Sequence, residues 1–265
     1  MWHINPLGIQ KSHIFEHPLN ERIRAFLRLD PLLNEIHAQM RFTSVSAISR
    51  MALTNLVDLI TLTERGDLKW KILTELERQQ LLLIQLRDSG DVDQQRLDST
   101  LSVLERIKSQ FNALMEHPPK ELKSNAVLNL VRGRSGITGS TCAFDLPALH
   151  CWSDRPGDEC SQDLFRWLNK LEPMESALRL ILHHLRESGI PEQIQVSTGQ
   201  YTCIPATDNP PTLLRITLPH RGDIFPQISA GRHRITIRFF RLSPHGRRAE
   251  TLAKNISFTL NLCRF

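Results

Sequence analysis

The stretch ISAGRHRITIRFFRL, residues 228–242, decides the fold of the last part of the chain. From 232 to 241 it reads as a strand, whose side chains alternate between two faces. Arg232, Arg234, Thr236, Arg238 and Phe240 fall on one face; His233, Ile235, Ile237, Phe239 and Arg241 fall on the other. Burial of Ile235, Ile237 and Phe239 gives such a strand its core side. Three arginines on the opposite side call for a different explanation. The period of two recurs nearby, in IQVSTGQYTCI within 193–205, in Leu214, Ile216 and Leu218 against Leu213, Arg215 and Thr217, and in Ile256, Phe258, Leu260 and Leu262 against Ser257, Thr259, Asn261 and Cys263. This alternation predicts an antiparallel sheet with one wet face. TDNPP (207–211) and LSPHGRR (242–248) read as turn-rich loops.

Before Gly189 the period is close to 3.6. Pro18 fits a first helical turn ahead of Leu19, Ile23, Phe26 and Leu27, and Asp30-Pro31 predicts a break and a capped continuation through Leu32, Leu33, Ile36 and Met40. A stripe from Val45 to Ile60 stops at Gly66, a long helix spans about 68–87, and Leu97, Leu101, Leu104, Ile107, Phe111 and Leu114 mark another. Shorter helices follow near 121–132, after Pro147, and at about 162–171 and 175–188. The expected class is α+β: an extension over 1–14, a helical bundle over 15–189 and an antiparallel β domain over 190–265. Apolar surface left over on a bundle of long helices is a common route to a dimer.

Charge singles out the last region. Residues 191–265 hold ten Lys and Arg against four Asp and Glu, a net of +6, whereas the first 190 residues carry a net of −1. Such asymmetry points to an acidic partner. Arg215 shares its expected wet face with Leu213 and Thr217; if its strand neighbours the one carrying Arg232, Arg234 and Arg238, about four guanidinium groups cluster. Solubility alone would be served by scattered Lys and Glu, and arginine is the side chain that forks onto carboxylates and phosphates. Single-stranded nucleic acid is the rival partner, but its binders interleave aromatics for stacking. Aromatics make up 6% of this chain, and on the arginine face only Phe240 would serve.

Other chemistries find little support. No GxSxG or HExxH frame is present, so no catalytic residues are assigned and no enzyme activity is expected. Cys142, His150, Cys151 and Cys160 lack the close pairs that pre-organise zinc, and the odd number of cysteines argues against a disulfide framework, so no metal and no cofactor are expected. Gly133, Gly136 and Gly139 in RGRSGITGS do not match a phosphate loop and read as a connector. No apolar run reaches a membrane span, and the first residues lack the pattern of a signal peptide, so a cytoplasmic protein without membrane contact is expected.

FEHPLNERIRAFLRLDPLL (15–33) and CAFDLPALHCW (142–152), with TERGDLKWKILTELERQQ, VDQQRLD, LLRITL and FPQISAGRHRITIRF following in order around them, closely resemble the ZapD family, cell-division proteins that associate with FtsZ. The resemblance runs from about residue 15 to the end. It implies a helical domain followed by a β domain, a symmetric homodimer, binding of the C-terminal tail of FtsZ, and cross-linking of FtsZ filaments at the mid-cell Z-ring. It implies a basic tail-binding pocket with Arg28 in RAFLRL, Arg65 in TERG, His150 in DLPALH, and Arg234 and Arg238 in RHRITIR; Arg28, His150, Arg234 and Arg238 are expected to converge on one surface. At Ala126 the family pattern has an arginine, for which Lys123 one turn earlier would substitute as a point charge. Arg132 beside the glycine-rich loop and Arg215 complete the expected basic set. Single-stranded nucleic-acid binding remains the alternative.

Overall fold

In the computed structural model, the residues described are 12–41, 46–64, 66–88, 92–114, 116–134, 136–137, 142–219, 222–243, 248–252 and 254–264. The described residues open in strand β1 (His13–Pro18). Pro18 therefore closes a strand where the sequence suggests a helical start. The helix begins later because Asn20 caps it: the N–H of Ile23 donates to Asn20 Oδ1 at 2.8 Å. Helix α1 (Glu21–Met40) then runs without interruption past Pro31. The expected break there does not occur. Phe26, Leu29, Leu33 and Ile36 are all buried on one stripe that crosses the proline, and that burial outweighs the one backbone bond Pro31 removes.

Helices α2 (Ser46–Thr63), α3 (Leu68–Gln85) and α4 (Gln94–Asn112) follow. A 3-10 turn at Leu86–Asp88 ends α3, and Asp93 caps α4 by accepting from the N–H of Arg96 at 3.1 Å. The segment expected near 121–132 is two helices, α5 (Lys120–Lys123) and α6 (Ala126–Arg134), separated where Asn125 accepts from the N–H of Leu128 at 3.1 Å. Gly133 is thus helical rather than part of a loop. Helices α7 (Pro147–Ser153), α8 (Gly157–Asn169) and α9 (Glu172–Glu187) complete the helical series. α2 packs against α6, α7 and α8, and α3 against α4.

The strands are β2 (Pro191–Val196), β3 (Gln200–Cys203), β4 (Leu213–Leu218), β5 (Ile224–Ala230), β6 (Ile235–Leu242), β7 (Ala249–Thr251) and β8 (Ile256–Cys263). They form two antiparallel sheets rather than one. The first has the order β1-β4-β8-β2; the second has β3-β6-β5, with β7 also paired to β6. Ile216, Phe258 and Leu260 from the first sheet and Ile235, Ile237 and Phe239 from the second share one core, where the rings of Phe239 and Phe258 lie 4.9 Å apart. Each of those phenylalanines contributes roughly 2–3 kcal/mol by burial. Gly199 lets β2 and β3 diverge into different sheets. Its φ is +65°, and a Cβ there would lie 1.6 Å from the carbonyl oxygen of Leu252.

Two compact units result, and they do not follow the order of the chain. One consists of 1–24 and 183–265, the other of 25–182. The expected cut after residue 14 falls inside β1, because Phe15 and Glu16 pair with Ile216 and Arg215 of β4. Among the described residues no helix is long and apolar enough to cross a membrane.

Candidate functional site

The outer face of the second sheet carries the arginines. Ile235, Ile237 and Phe239 are buried while Arg238 is exposed and Thr236 half-buried, so the alternation holds from 235 to 240. The strand is shorter than expected, however. Gly231 donates its N–H to the carbonyl of Arg234 at 2.9 Å, which makes Arg232-His233 the tip of a two-residue hairpin between β5 and β6. Arg232 therefore belongs to a turn, and only Arg234 and Arg238 stand over the sheet.

Across the strands, Arg238 lies between Gln200 of β3 and Gln227 of β5, and Thr236 lies between Thr202 and Ser229. Arg234 and Arg238, with Gln227, Ile228, Ser229 and Thr236, line one open depression of about 270 Å³. Phe240 is on the same face with its ring stacked on that of Phe225, centroids 5.8 Å apart. Sequence reasoning missed β5, and with it Gln227 and Ser229; Pro226 in the strand concealed it.

Arg215 does not join this cluster. It lies on β4, in the other sheet, which removes the expected neighbourhood. Nor is its face wet, since Leu213 beside it is fully buried. Arg215 Nε lies 3.0 Å from Glu16 Oε1, not aligned for a hydrogen bond, and its Nη1 donates to the carbonyl of Arg186 at 3.2 Å. Arg186 forks onto the same carboxylate, through Nε at 2.8 Å and Nη2 at 2.7 Å. The three side chains form a partly buried ionic cluster that ties β1, β4 and the end of α9 together. Arg241 is also paired, to Asp223 at 3.1 Å. By contrast, among the described residues no carboxylate pairs with Arg234 or Arg238.

The remaining expected residues belong to the helical unit. Arg28 stands exposed on α1. Lys123 ends α5, 3.8 Å from Glu116. Arg132 on α6 pairs with Glu64 and donates to Asn129 Oδ1 at 2.5 Å. His150 lies half-buried on α7, which packs against α6. Ala126 is exposed at the start of α6. Arg65 lies outside the described residues. The residues next to Ala126 and His150 border an open depression of about 430 Å³ that sequence reasoning did not anticipate, lined by Asn125, Cys151, Trp152, Arg155, Arg166 and Trp167 among others. Its floor is the stacked Trp152–Trp167 pair, 6.0 Å between centroids, with Trp152 Nε1 donating to Asp163 at 3.1 Å.

Among the described residues no cluster of His, Cys, Asp and Glu is arranged to hold a metal. Together these features define an α+β protein whose β-sandwich presents a cationic sheet face. A family profile described as ZapD, cell division protein, matches residues 27–238. The chain is 32% identical to the cell division protein ZapD of Coxiella burnetii over 94% of its own length and 97% of that protein. It is 35% identical to ZapD of Serratia proteamaculans (96% and 99% covered) and 36% identical to that of Yersinia enterocolitica (94% and 97%). The chain belongs to the ZapD family, and its role lies in cell division.

Proposed function

We propose that this protein binds the C-terminal tail of FtsZ on the Arg234–Arg238 face and, as a homodimer in the cytoplasm, cross-links FtsZ filaments at mid-cell. The observation that carries this reading is the contrast between arginines. Arg215 and Arg241 are held by carboxylates of the protein, whereas Arg234 and Arg238 line an open, otherwise uncharged depression. Cations left without an internal carboxylate around one depression suit an acidic ligand supplied from outside. Arg28, Arg65 and His150 are proposed as further tail contacts on the family pattern, Lys123 in place of the arginine that pattern has at Ala126, Arg132 from its position beside the glycine-rich loop, and Arg215 as a support of the sandwich.

Bivalence supplies the mechanism. A twofold dimer holds two tails at once. Each tail binds modestly, on the order of micromolar or about −8 kcal/mol, because a disordered segment loses entropy when it is ordered. After the first capture, neighbouring tails are at high effective concentration, and avidity does the bundling.

Co-sedimentation of FtsZ polymers, with and without the tail, at two salt concentrations tests the reading. Bundles should pellet only with the tail, less at the higher salt, and Arg234→Glu with Arg238→Glu should abolish them. Bundling that survives loss of the tail would refute it. Phe240 beside Arg238 keeps single-stranded nucleic acid as the rival, although its ring already stacks on Phe225. That rival predicts retention on single-stranded DNA with a steep salt slope, unaffected by the tail.

A further inference from the structure

β5 forms the edge of its sheet, and its hydrogen-bond parity shows which backbone groups are open. In an antiparallel pair, hydrogen-bonded and non-hydrogen-bonded positions alternate. The bond from Gly231 N–H to the Arg234 carbonyl, 2.9 Å, fixes that pair as hydrogen-bonded; the bond from Leu242 N–H to the Asp223 carbonyl, 2.8 Å, fixes the same parity at the other end. With the β5–β6 register between them, Phe225, Gln227 and Ser229 turn their backbone groups toward β6. Pro226, Ile228 and Ala230 turn theirs away. Among the described residues no strand receives them, since β3 and β7 both pair with the opposite side of β6.

Sheet edges are ordinarily blunted by proline or charge. Here Pro226 blunts one end, because its nitrogen faces outward and has no hydrogen. The edge from Ile228 to Ala230 has no such protection. The depression that Arg234 and Arg238 line extends over this strand, with Gln227, Ile228 and Ser229 as its other wall. Ser229 is short and Gln227 is neutral, so neither blocks a guanidinium that leans toward the edge. A strand added outside β5 would lie two strand spacings from β6, about 9.6 Å. An arginine and a glutamate reaching toward each other span that gap.

We propose that the open edge of β5, at Ile228 and Ala230, takes an extended acidic peptide as an added strand, with its carboxylates meeting Arg234 and Arg238. This rests on the FtsZ-tail reading and specifies how the tail is held. The backbone supplies affinity that does not depend on sequence, the arginines select acidic side chains, and Pro226 limits how far the peptide can pair.

The test is tail-peptide binding by fluorescence anisotropy, with amide exchange followed by NMR. Ala230→Pro removes one outward N–H at an exposed position and no bond within the sheet. It should weaken the peptide at least tenfold while the far-UV circular dichroism stays unchanged. Ala230→Ser keeps the N–H and should bind like the unaltered protein. Peptide should slow exchange at Ile228 and Ala230, while Gln227 and Ser229 are already slow without it. Unchanged binding by Ala230→Pro and unchanged exchange at Ile228 and Ala230 would overturn strand addition. If Arg234→Glu with Arg238→Glu still abolished binding, the tail-binding reading would stand. Protection of these amides without peptide, rising with protein concentration, would make the edge a contact between copies and overturn the proposal. Failure of the unaltered protein to bind the peptide would overturn both readings.

Discussion

Arg215 and Arg238 look alike in sequence, each an arginine in an alternating strand, yet their surroundings assign them opposite work. Arg215 shares Glu16 with Arg186, and the three side chains are only 18–26% exposed. Arg238 meets solvent. The difference was not legible because the deciding residue, Glu16, is almost 200 positions from Arg215 and sits in a strand that resembles a helix start. Replacement of Glu16 by Gln leaves two guanidinium groups without their carboxylate. Loss of a partner from a fully buried pair costs about 3–5 kcal/mol; discounted for partial exposure, about 1–3 kcal/mol is expected here. Urea denaturation would read this as a lower midpoint at unchanged slope. The ionic cluster is misassigned if Glu16→Gln unfolds at the same midpoint as the unaltered protein.

Among the elements, those with one buried face were the readable ones. β6 and β8 show a period of two because core and solvent alternate along them, and α2 to α4 show apolar stripes for the same reason. β1, β5 and β7 are edge or short strands with little burial contrast, and Pro18 and Pro226 obscure two of them. Pro31 misleads in the opposite sense, since a local rule yields to a buried stripe. Alternation also cannot say which sheet a strand joins. That choice falls to Gly199, whose positive φ and contact with Leu252 send β3 to the second sheet. Gly199→Ala would force a methyl into a backbone carbonyl and should lower the melting temperature by several degrees, the equivalent of at least ~1–3 kcal/mol. A calorimetric scan checks it, and an unchanged transition would remove Gly199 from that role.

For the molecule as a whole, acidity is the condition that weakens both units. Burial, and then the charges of Lys69 and Lys123, hold the His117 pKa down to about 4. Burial, then His183, does the same for His184, again to about 4. The unfolded chain titrates near 6.5 and so takes up protons that the folded one refuses. Stability is complete above about pH 6.5 and should decline as the pH falls from there toward 4. Thermal melts at pH 7.5 and 5 measure this; equal midpoints would show that these imidazoles are free to protonate in the folded protein. The discontinuous β unit has a consequence for how the protein is made. β1 leaves the ribosome well before its partner strand, which begins at Leu213. At about 5–20 residues per second, roughly 10–40 s separate the two. During that interval the helical segment emerges, so the nascent chain holds a strand with no partner to pair with, and the sandwich closes only once β8 has followed β4.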